Sequence, residues 1–336
     1  MYIKRHIYPE IKKRMEEDDI LLITGPRQAG KTTLLRHLQE ELEAEGNLCH
    51  YITLEKASLV ESFNKDPLNI LILLNIDLKR KTFVFIDEIQ YLKNPSNFLK
   101  LLYDEYRGKI KLIVTGSSAF YIDKGFKDSL VGRKYIFQLN PLSLKEFIEF
   151  KEGNDVLVNR LPNMGLLEKE QFMRYYDEYV KYGGYPRVVL AIDHKNKVLA
   201  LSEIVSNYIK KDVLEAGLKS EDVYYKILRL LASQTGSLVN KLEIANTLEV
   251  STTLVDNYLY VMSKSFHIVL ISPFSNSPRV EMRKMPKVYF IDIGLRNYLI
   301  NNFESFDTRL DKGIVLENLV FRSFYEKDTN SLFLQY

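Results

Sequence analysis

The run Gly25-Pro26-Arg27-Gln28-Ala29-Gly30-Lys31-Thr32 satisfies the spacing G-x-x-x-x-G-K-[ST]. That spacing has a physical reason. The glycines let the main chain curl so that successive N–H groups point inward at phosphate oxygens, and the helix that follows adds its positive N-terminal end. Lys31 is then placed to reach β- and γ-phosphates, and the Thr32 hydroxyl to ligate Mg²⁺. The expected nucleotide-binding set is Gly25, Pro26, Arg27, Gln28, Ala29, Gly30, Lys31, Thr32 and Thr33.

Phe83-Val84-Phe85-Ile86-Asp87-Glu88 is the matching second motif, four apolar residues followed by two carboxylates. A strand ending there presents Asp87 to hold Mg²⁺, directly or through water, and leaves Glu88 to accept a proton from an attacking water. One other strand-like run, Leu48 to Leu54, lies between the two motifs. That order, with Glu beside Asp, points to the P-loop class with an extra strand between the motif strands and away from small-molecule kinases. Ile113-Val114-Thr115-Gly116-Ser117-Ser118 places hydroxyls at the end of a further strand. Ser117 is the first choice for orienting the water or touching the γ-phosphate, and Thr115 the alternative; a Gly-Ser turn bonding its own backbone is the plainer reading. Gly132-Arg133 precedes another strand. A guanidinium there could reach a phosphate in a neighbouring subunit and stabilise transition-state charge, worth about 10³ to 10⁵ in rate where it applies. A surface ion pair explains Arg133 equally well.

The elements that must position these groups are legible as alternation. Ile20 to Thr24 is a short apolar run stopped by Gly25 and Pro26, and Thr32 to Glu45 carries Leu34, Leu35, Leu38 and Leu42 on one helical face before Gly46. Asp66 and Pro67 predict a helix running to Ile76, and Asn94 and Pro95 predict another that Gly108 closes. Strands are expected at Leu48 to Leu54, Thr82 to Ile86, Ile110 to Val114 and Lys134 to Leu139. Strands alternating with helices give an α/β fold with a parallel, doubly wound sheet. After Pro141 the pattern changes: Ser143 and Glu146 form a capping box, and the chain reads as all-helical to about Gly217. Three short helices follow, Glu221 to Ala232, Lys241 to Leu248 and Ser251 to Lys264. Their expected apolar faces are Val223, Ile227, Leu230; Leu242, Ala245, Leu248; and Leu254, Val255, Tyr258, Leu259, Met262. Two strand-like runs, His267 to Ser272 and Lys287 to Ile291, complete a winged helix-turn-helix pattern. Asp311 to Tyr336 reads as one helix and one strand.

Composition bounds the classes. The 336 residues are 46% hydrophobic and 27% charged, enough for a sizeable core in about two domains. The longest apolar run, Leu68 to Leu74, is broken by Asn69 and falls far short of the ~20 residues of a membrane span. The N-terminal stretch is charged too evenly for a secretory signal. Cys49, the single cysteine, excludes a disulfide framework and any Cys-based zinc site, so the expected location is the cytoplasm. The five histidines, His6, His37, His50, His194 and His267, lack ligand spacing. The net charge of +3 is too small to require a nucleic-acid or membrane partner.

The phrases GPRQAGKTTLL, FVFIDEIQ, VTGSS and LVGRKYIFQLNPLSLKEF resemble the prokaryotic AAA+ ATP-binding proteins of the Gly-Pro-Arg-Gln Walker A type, whose C-terminal half is a domain of unknown function. YGGYPRVV, YIKKDV, PKVYFIDIGL and GIVLENLVF in the second half match as well, so the resemblance spans nearly the whole chain. It implies an AAA+ P-loop ATPase core at residues 1–140, a helical lid at 141–217, a winged helix domain at 218–295, and at 296–336 a C-terminal element similar to the PD-(D/E)XK nuclease fold. It supports ATP and Mg²⁺ as cofactors, Lys31, Thr32, Asp87 and Glu88 in the roles above, and Arg133 as the Gly-Arg arginine. The family continues into a strand with a carboxylate pair that this sequence, ending at Tyr336, does not contain. Only the helix bearing Glu317 and one strand of such an element are expected, and nuclease activity is not.

The winged helix leaves two partners open. Between Asp222 and Asp292 there are 8 Lys plus Arg and 6 Asp plus Glu, a net of +2, where a DNA surface concentrates positive charge. The best local candidate for a DNA contact is Arg279, Arg283, Lys284 and Lys287; a protein-contact role fits the same fold. The expectation is Mg²⁺-dependent ATP hydrolysis driving a switch of lid and winged helix, with DNA and homo-oligomerisation as candidate couplings and no membrane partner. The alternative is a nucleotide-gated protein-interaction module with little turnover.

Overall fold

The computed structural model describes residues 2–116, 130, 132–160, 163–274 and 284–331. The chain divides into two compact units, one built from 1–26, 30–139 and 327–336 and the other from 27–29 and 140–326.

In the first unit, β1 (Ile20–Thr24), β2 (Leu48–Thr53), β3 (Thr82–Asp87), β4 (Ile110–Gly116) and β5 (Lys134–Gln138) form a parallel sheet in the order β2-β3-β4-β1-β5. Every residue of β1, β3 and β4 is buried, as expected where helices cover both faces, whereas the edge strands β2 and β5 are mostly half-buried. Among the described residues, five α-helices lie between or before the strands: α1 (Tyr8–Lys13), α2 (Lys31–Ala44), α3 (Ala57–Lys65), α4 (Asn69–Leu73) and α5 (Pro95–Tyr106). Leu34, Leu35, Leu38 and Leu42 of α2 pack with Phe83, Phe85 and Ile113 on one face, while Phe63, Phe98 and Leu102 pack with Val84 and Val114 on the other. Asn94 caps α5 by accepting from Asn97 N–H at 3.1 Å. The helix expected to run from Asp66 to Ile76 is a single turn at Asn69–Leu73, because Asn75 adopts a left-handed backbone (φ 49°) that ends it. The short α1 and α3 were not expected; each buries one residue, Ile11 and Phe63, too little to print a periodic signal.

The second unit opens with α6 (Leu144–Glu152), where the Ser143–Glu146 capping box is formed. Then come α7 (Val156–Asn159), α8 (Leu166–Tyr182), α9 (Pro186–Leu190) and α10 (His194–Glu215). Tyr175 and Tyr179 meet Phe147 edge-on, and the Tyr179 hydroxyl donates to Leu142 O at 2.9 Å, so these tyrosines are packing residues. Gly184 has no room for a side chain: a Cβ would lie 2.0 Å from Leu142 O. Its N–H donates at 2.7 Å to Asp292, whose buried carboxyl is pushed up to about 6 by desolvation.

Three helices, α11 (Glu221–Ser233), α12 (Lys241–Leu248) and α13 (Thr252–Lys264), precede an antiparallel pair, β6 (Ile268–Ile271) and β7 (Lys287–Phe290). Two of the expected apolar faces are rotated. α11 buries Tyr224, Ile227, Leu228 and Leu231 in place of Val223 and Leu230, and α12 buries Ile244 and Ala245 while Leu242 is 60% exposed. In helices this short a shift of one residue keeps a plausible stripe, and the neighbours decide which is used. α14 (Ile293–Ile300) and α15 (Lys312–Ser331) follow; the strand expected after α15 falls on residues outside the description. Among the described residues no helix is long and apolar enough to cross a membrane.

Candidate functional site: a phosphate loop facing a carboxylate

The loop after β1 takes the curled path its glycines predict. Gly25 has φ 142°, Gln28 φ 58° and Gly30 φ 99°, and Gly30 is the N-cap of the 14-residue α2. At Gly25 a Cβ would sit 2.0 Å from Leu139 O, so the approach of the two backbones excludes any side chain. Lys31 is 5% exposed, and its Nζ donates to Gly25 O at 2.9 Å and Pro26 O at 2.8 Å, folding back across its own loop.

Asp87 ends β3, 4% exposed, and three hydroxyls donate to it. Thr32 Oγ1 and Tyr51 Oη both reach Oδ2, at 2.8 Å and 2.9 Å, and Thr115 Oγ1 donates to Oδ1. The sheet order explains the meeting. β4 lies between β1 and β3, with Thr115 in register with Ile23, so its hydroxyl stands between the two motif strands. The same Thr115 hydroxyl accepts the Glu88 N–H at 3.0 Å. Glu88 has a left-handed backbone (φ 60°), and its carboxylate accepts from Gln90 Nε2. The structure therefore joins Thr32, Asp87 and Thr115 and holds Glu88 beside them.

Several other expected residues stand elsewhere. Ser117, Arg279 and Arg283 lie outside the described residues. Arg133 pairs with Asp104 at 2.9 Å. Lys287 pairs with Glu317 at 2.9 Å, and Glu317 also accepts from Tyr289 Oη at 2.7 Å. These two partners hold the Glu317 carboxyl below its ordinary range. Lys284 is exposed. Arg27 groups with the second unit, where it pairs with Glu215 and, at 3.4 Å, with Asp212 of α10. Asp212 also faces His267 Nε2 at 3.2 Å, and His267 Nδ1 lies 3.0 Å from Tyr224 Oη.

Sequence reasoning missed Tyr51 and ranked Thr115 second. Tyr51 carries no motif signal. Burial, then the Asp87 carboxylate, pushes its phenol above the ordinary range, and the guanidinium of Arg36 lies 3.2 Å above its ring centroid.

The oxygen-only donors gathered at Asp87 suit a hard cation such as Mg²⁺. Among the described residues no group of three or more His, Cys, Asp and Glu side chains is placed to hold a metal ion.

Residues 17–148 match the family model described as an AAA domain, and residues 173–305 match one described as a domain of unknown function. The chain is similar to an uncharacterized protein of Methanocaldococcus jannaschii, 29% identical over 335 residues that cover 95% of this chain and 70% of that one. It is also similar to an uncharacterized protein of Haemophilus influenzae, 27% identical over 330 residues, covering 94% and 78%. Among solved structures, a RuvB of Thermotoga maritima aligns with a TM-score of 0.38 at 19% identity, covering 81% of this chain and 86% of that one. The AAA match lies on the parallel sheet and the loop described above. The chain has an α/β core with a parallel five-stranded sheet and a glycine-rich loop after β1, the part that matches the AAA domain, followed by a largely helical C-terminal region.

Proposed function

We propose that the chain is a Mg²⁺-dependent ATPase whose turnover drives a conformational switch in the region that follows the core. The observation that carries this reading is the 2.8 Å hydrogen bond from Thr32 to Asp87 at the mouth of a loop with three positive-φ residues. Main-chain N–H groups within residues 25–33, Pro26 excepted, would receive the phosphate chain, and Lys31 would exchange its carbonyl partners for β- and γ-phosphate oxygens. Thr32 and Asp87 would hold Mg²⁺, which supplies charge neutralisation on the phosphates. Glu88 would accept the proton of the attacking water, with Thr115 fixing its backbone; Ser117 remains the sequence's candidate for contact with the γ-phosphate. Arg133, if it leaves Asp104 in an oligomer, would contact the phosphate of a neighbouring copy.

Residues 141–217 would act as a lid and 218–295 as a winged helix, with 296–336 as a nuclease-like element. The support for a switch is Arg27: a residue of the phosphate loop is ion-paired to Asp212 and Glu215. Loading the loop with phosphate changes the charge Arg27 faces, which biases that pairing.

A second reading, a nucleotide-gated module that contacts a protein, is favoured by the state of the cations. Lys287 is held by Glu317, and α13 offers Thr252, Thr253, Asp256 and Asn257, with Asp256 itself paired to Lys241. Among the described residues, Lys287 and α13 thus offer little free positive charge to neutralise phosphates. The test is calorimetry with ATP and Mg²⁺, followed by steady-state turnover across protein concentrations with and without duplex and single-stranded DNA. No uptake of nucleotide refutes both readings. DNA-stimulated turnover supports the coupled ATPase, and binding with negligible, DNA-independent turnover supports the gated module.

A further inference from the structure

The hydroxyls of Thr32 and Tyr51 share one oxygen of Asp87, and the two differ in what a bound nucleotide would ask of them. Thr32 follows the loop lysine, so its hydroxyl oxygen is needed by the metal when the site fills, whereas Tyr51 lies on a strand that carries neither motif. Tyr51 is on the neighbouring strand, with β2 and β3 paired from Leu48↔Thr82 to Thr53↔Asp87. It sits opposite Phe85, two residues before Asp87, on the sheet face covered by α2. Alternation puts Phe85 and Asp87 on one face, so Tyr51 shares the face of the carboxylate, on the strand that flanks β3 opposite β4. Arg36, on α2, covers its ring with the guanidinium carbon 3.2 Å from the centroid. A cation on a phenol ring increases the hydroxyl's strength as a donor.

We propose that Tyr51, backed by Arg36, is the positioning residue that keeps the Asp87 carboxylate oriented for Mg²⁺, and so sets how strongly Mg²⁺ tightens nucleotide binding. This rests on the phosphate-site reading above. The same pair accounts for a half-buried tyrosine within the edge strand β2.

The test compares ADP affinity, by calorimetry, in chelator and in saturating Mg²⁺ for wild type, Tyr51→Phe and Arg36→Gln. Phe keeps the ring and its packing and removes only the donor. Outer partners of metal ligands contribute about 10- to 100-fold to metal affinity, so the Mg²⁺-dependent tightening is expected to fall about tenfold in Tyr51→Phe, with affinity in chelator within about twofold of wild type. Arg36→Gln is expected to move in the same direction by less. The Mg²⁺ concentration for half-maximal turnover should rise correspondingly, with a smaller effect on kcat at saturating metal. An unchanged Mg²⁺ dependence in Tyr51→Phe overturns the inference, as does a uniform loss of affinity with and without metal. A wild-type protein that binds no ADP under either condition refutes the phosphate-site reading itself.

Discussion

Thr32 and Asp87 are 55 residues apart in sequence and 2.8 Å apart in the fold, joined by a hydroxyl-to-carboxylate hydrogen bond. This contact places the end of the phosphate loop against the end of β3, the arrangement a metal–triphosphate needs. Two substitutions separate binding from chemistry. Lys31→Ala is expected to abolish detectable nucleotide binding. Glu88→Gln should bind ATP with near wild-type affinity and lower kcat by about 10² or more, the usual worth of a general base. Full turnover in Glu88→Gln would remove Glu88 from that role.

Thr115 joins the two acidic residues through one oxygen, donating to Asp87 and accepting from the Glu88 N–H at 3.0 Å. Thr115→Val keeps the shape and leaves that N–H without its acceptor. The expected cost is about 1 to 3 kcal/mol of stability, the penalty for an orphaned buried donor. It should be accompanied by a fall in kcat larger than the change in nucleotide affinity, because Glu88 loses its anchor. Thermal unfolding and single-turnover kinetics measure the two effects.

What was legible in the sequence was what the chain encodes locally. Gly25 and Gly30, the apolar run into Asp87 and the Ser143–Glu146 cap each state their geometry within a few residues. Tyr51 was not legible because its value depends on β2 lying beside β3, a pairing set by the whole sheet. Thr115 had the right motif, but its meeting with Asp87 and Glu88 follows from β4 lying between β1 and β3. The Arg27–Asp212 pair spans 185 residues and has no local signature. The rotated faces of α11 and α12 show the limit from the other side, since a short amphipathic pattern fixes that a helix packs before it fixes which stripe packs.

Asp212 is 4% exposed and faces two cationic or cation-forming side chains, Arg27 at 3.4 Å and His267 at 3.2 Å. Removing one member of a buried ion pair costs about 3 to 5 kcal/mol, because it strips a counter-charge from groups already out of water. Asp212→Ala is accordingly expected to lower the thermal midpoint by several degrees, and Asp212→Asn, which retains a hydrogen-bond acceptor, by less. An Asp212→Ala midpoint equal to wild type would show that the pairing contributes nothing to stability.

Lys111 gives the core a pH signature. It is fully buried on β4, and its Nζ donates to the carbonyl oxygens of Arg14, Glu17 and Asp19 at 2.8, 2.5 and 2.6 Å. Desolvation, with some help from Lys81, pushes the ammonium down from 10.5 to about 7 in the folded chain. Below about 7 both states carry the proton and the full cost of burying the charge is present. Between about 7 and 10.5 the unfolded chain still binds the proton while the native chain has released it, so this group makes stability rise with pH across that window. The slope has an upper limit of about 1.4 kcal/mol per pH unit. Lys111→Met should lie below wild type in absolute stability, since three carbonyls lose their donor, and should lack this rise. Urea unfolding at intervals across the window is expected to show the gap between the two proteins widening as pH increases; parallel curves would mean that Lys111 keeps its proton in the fold.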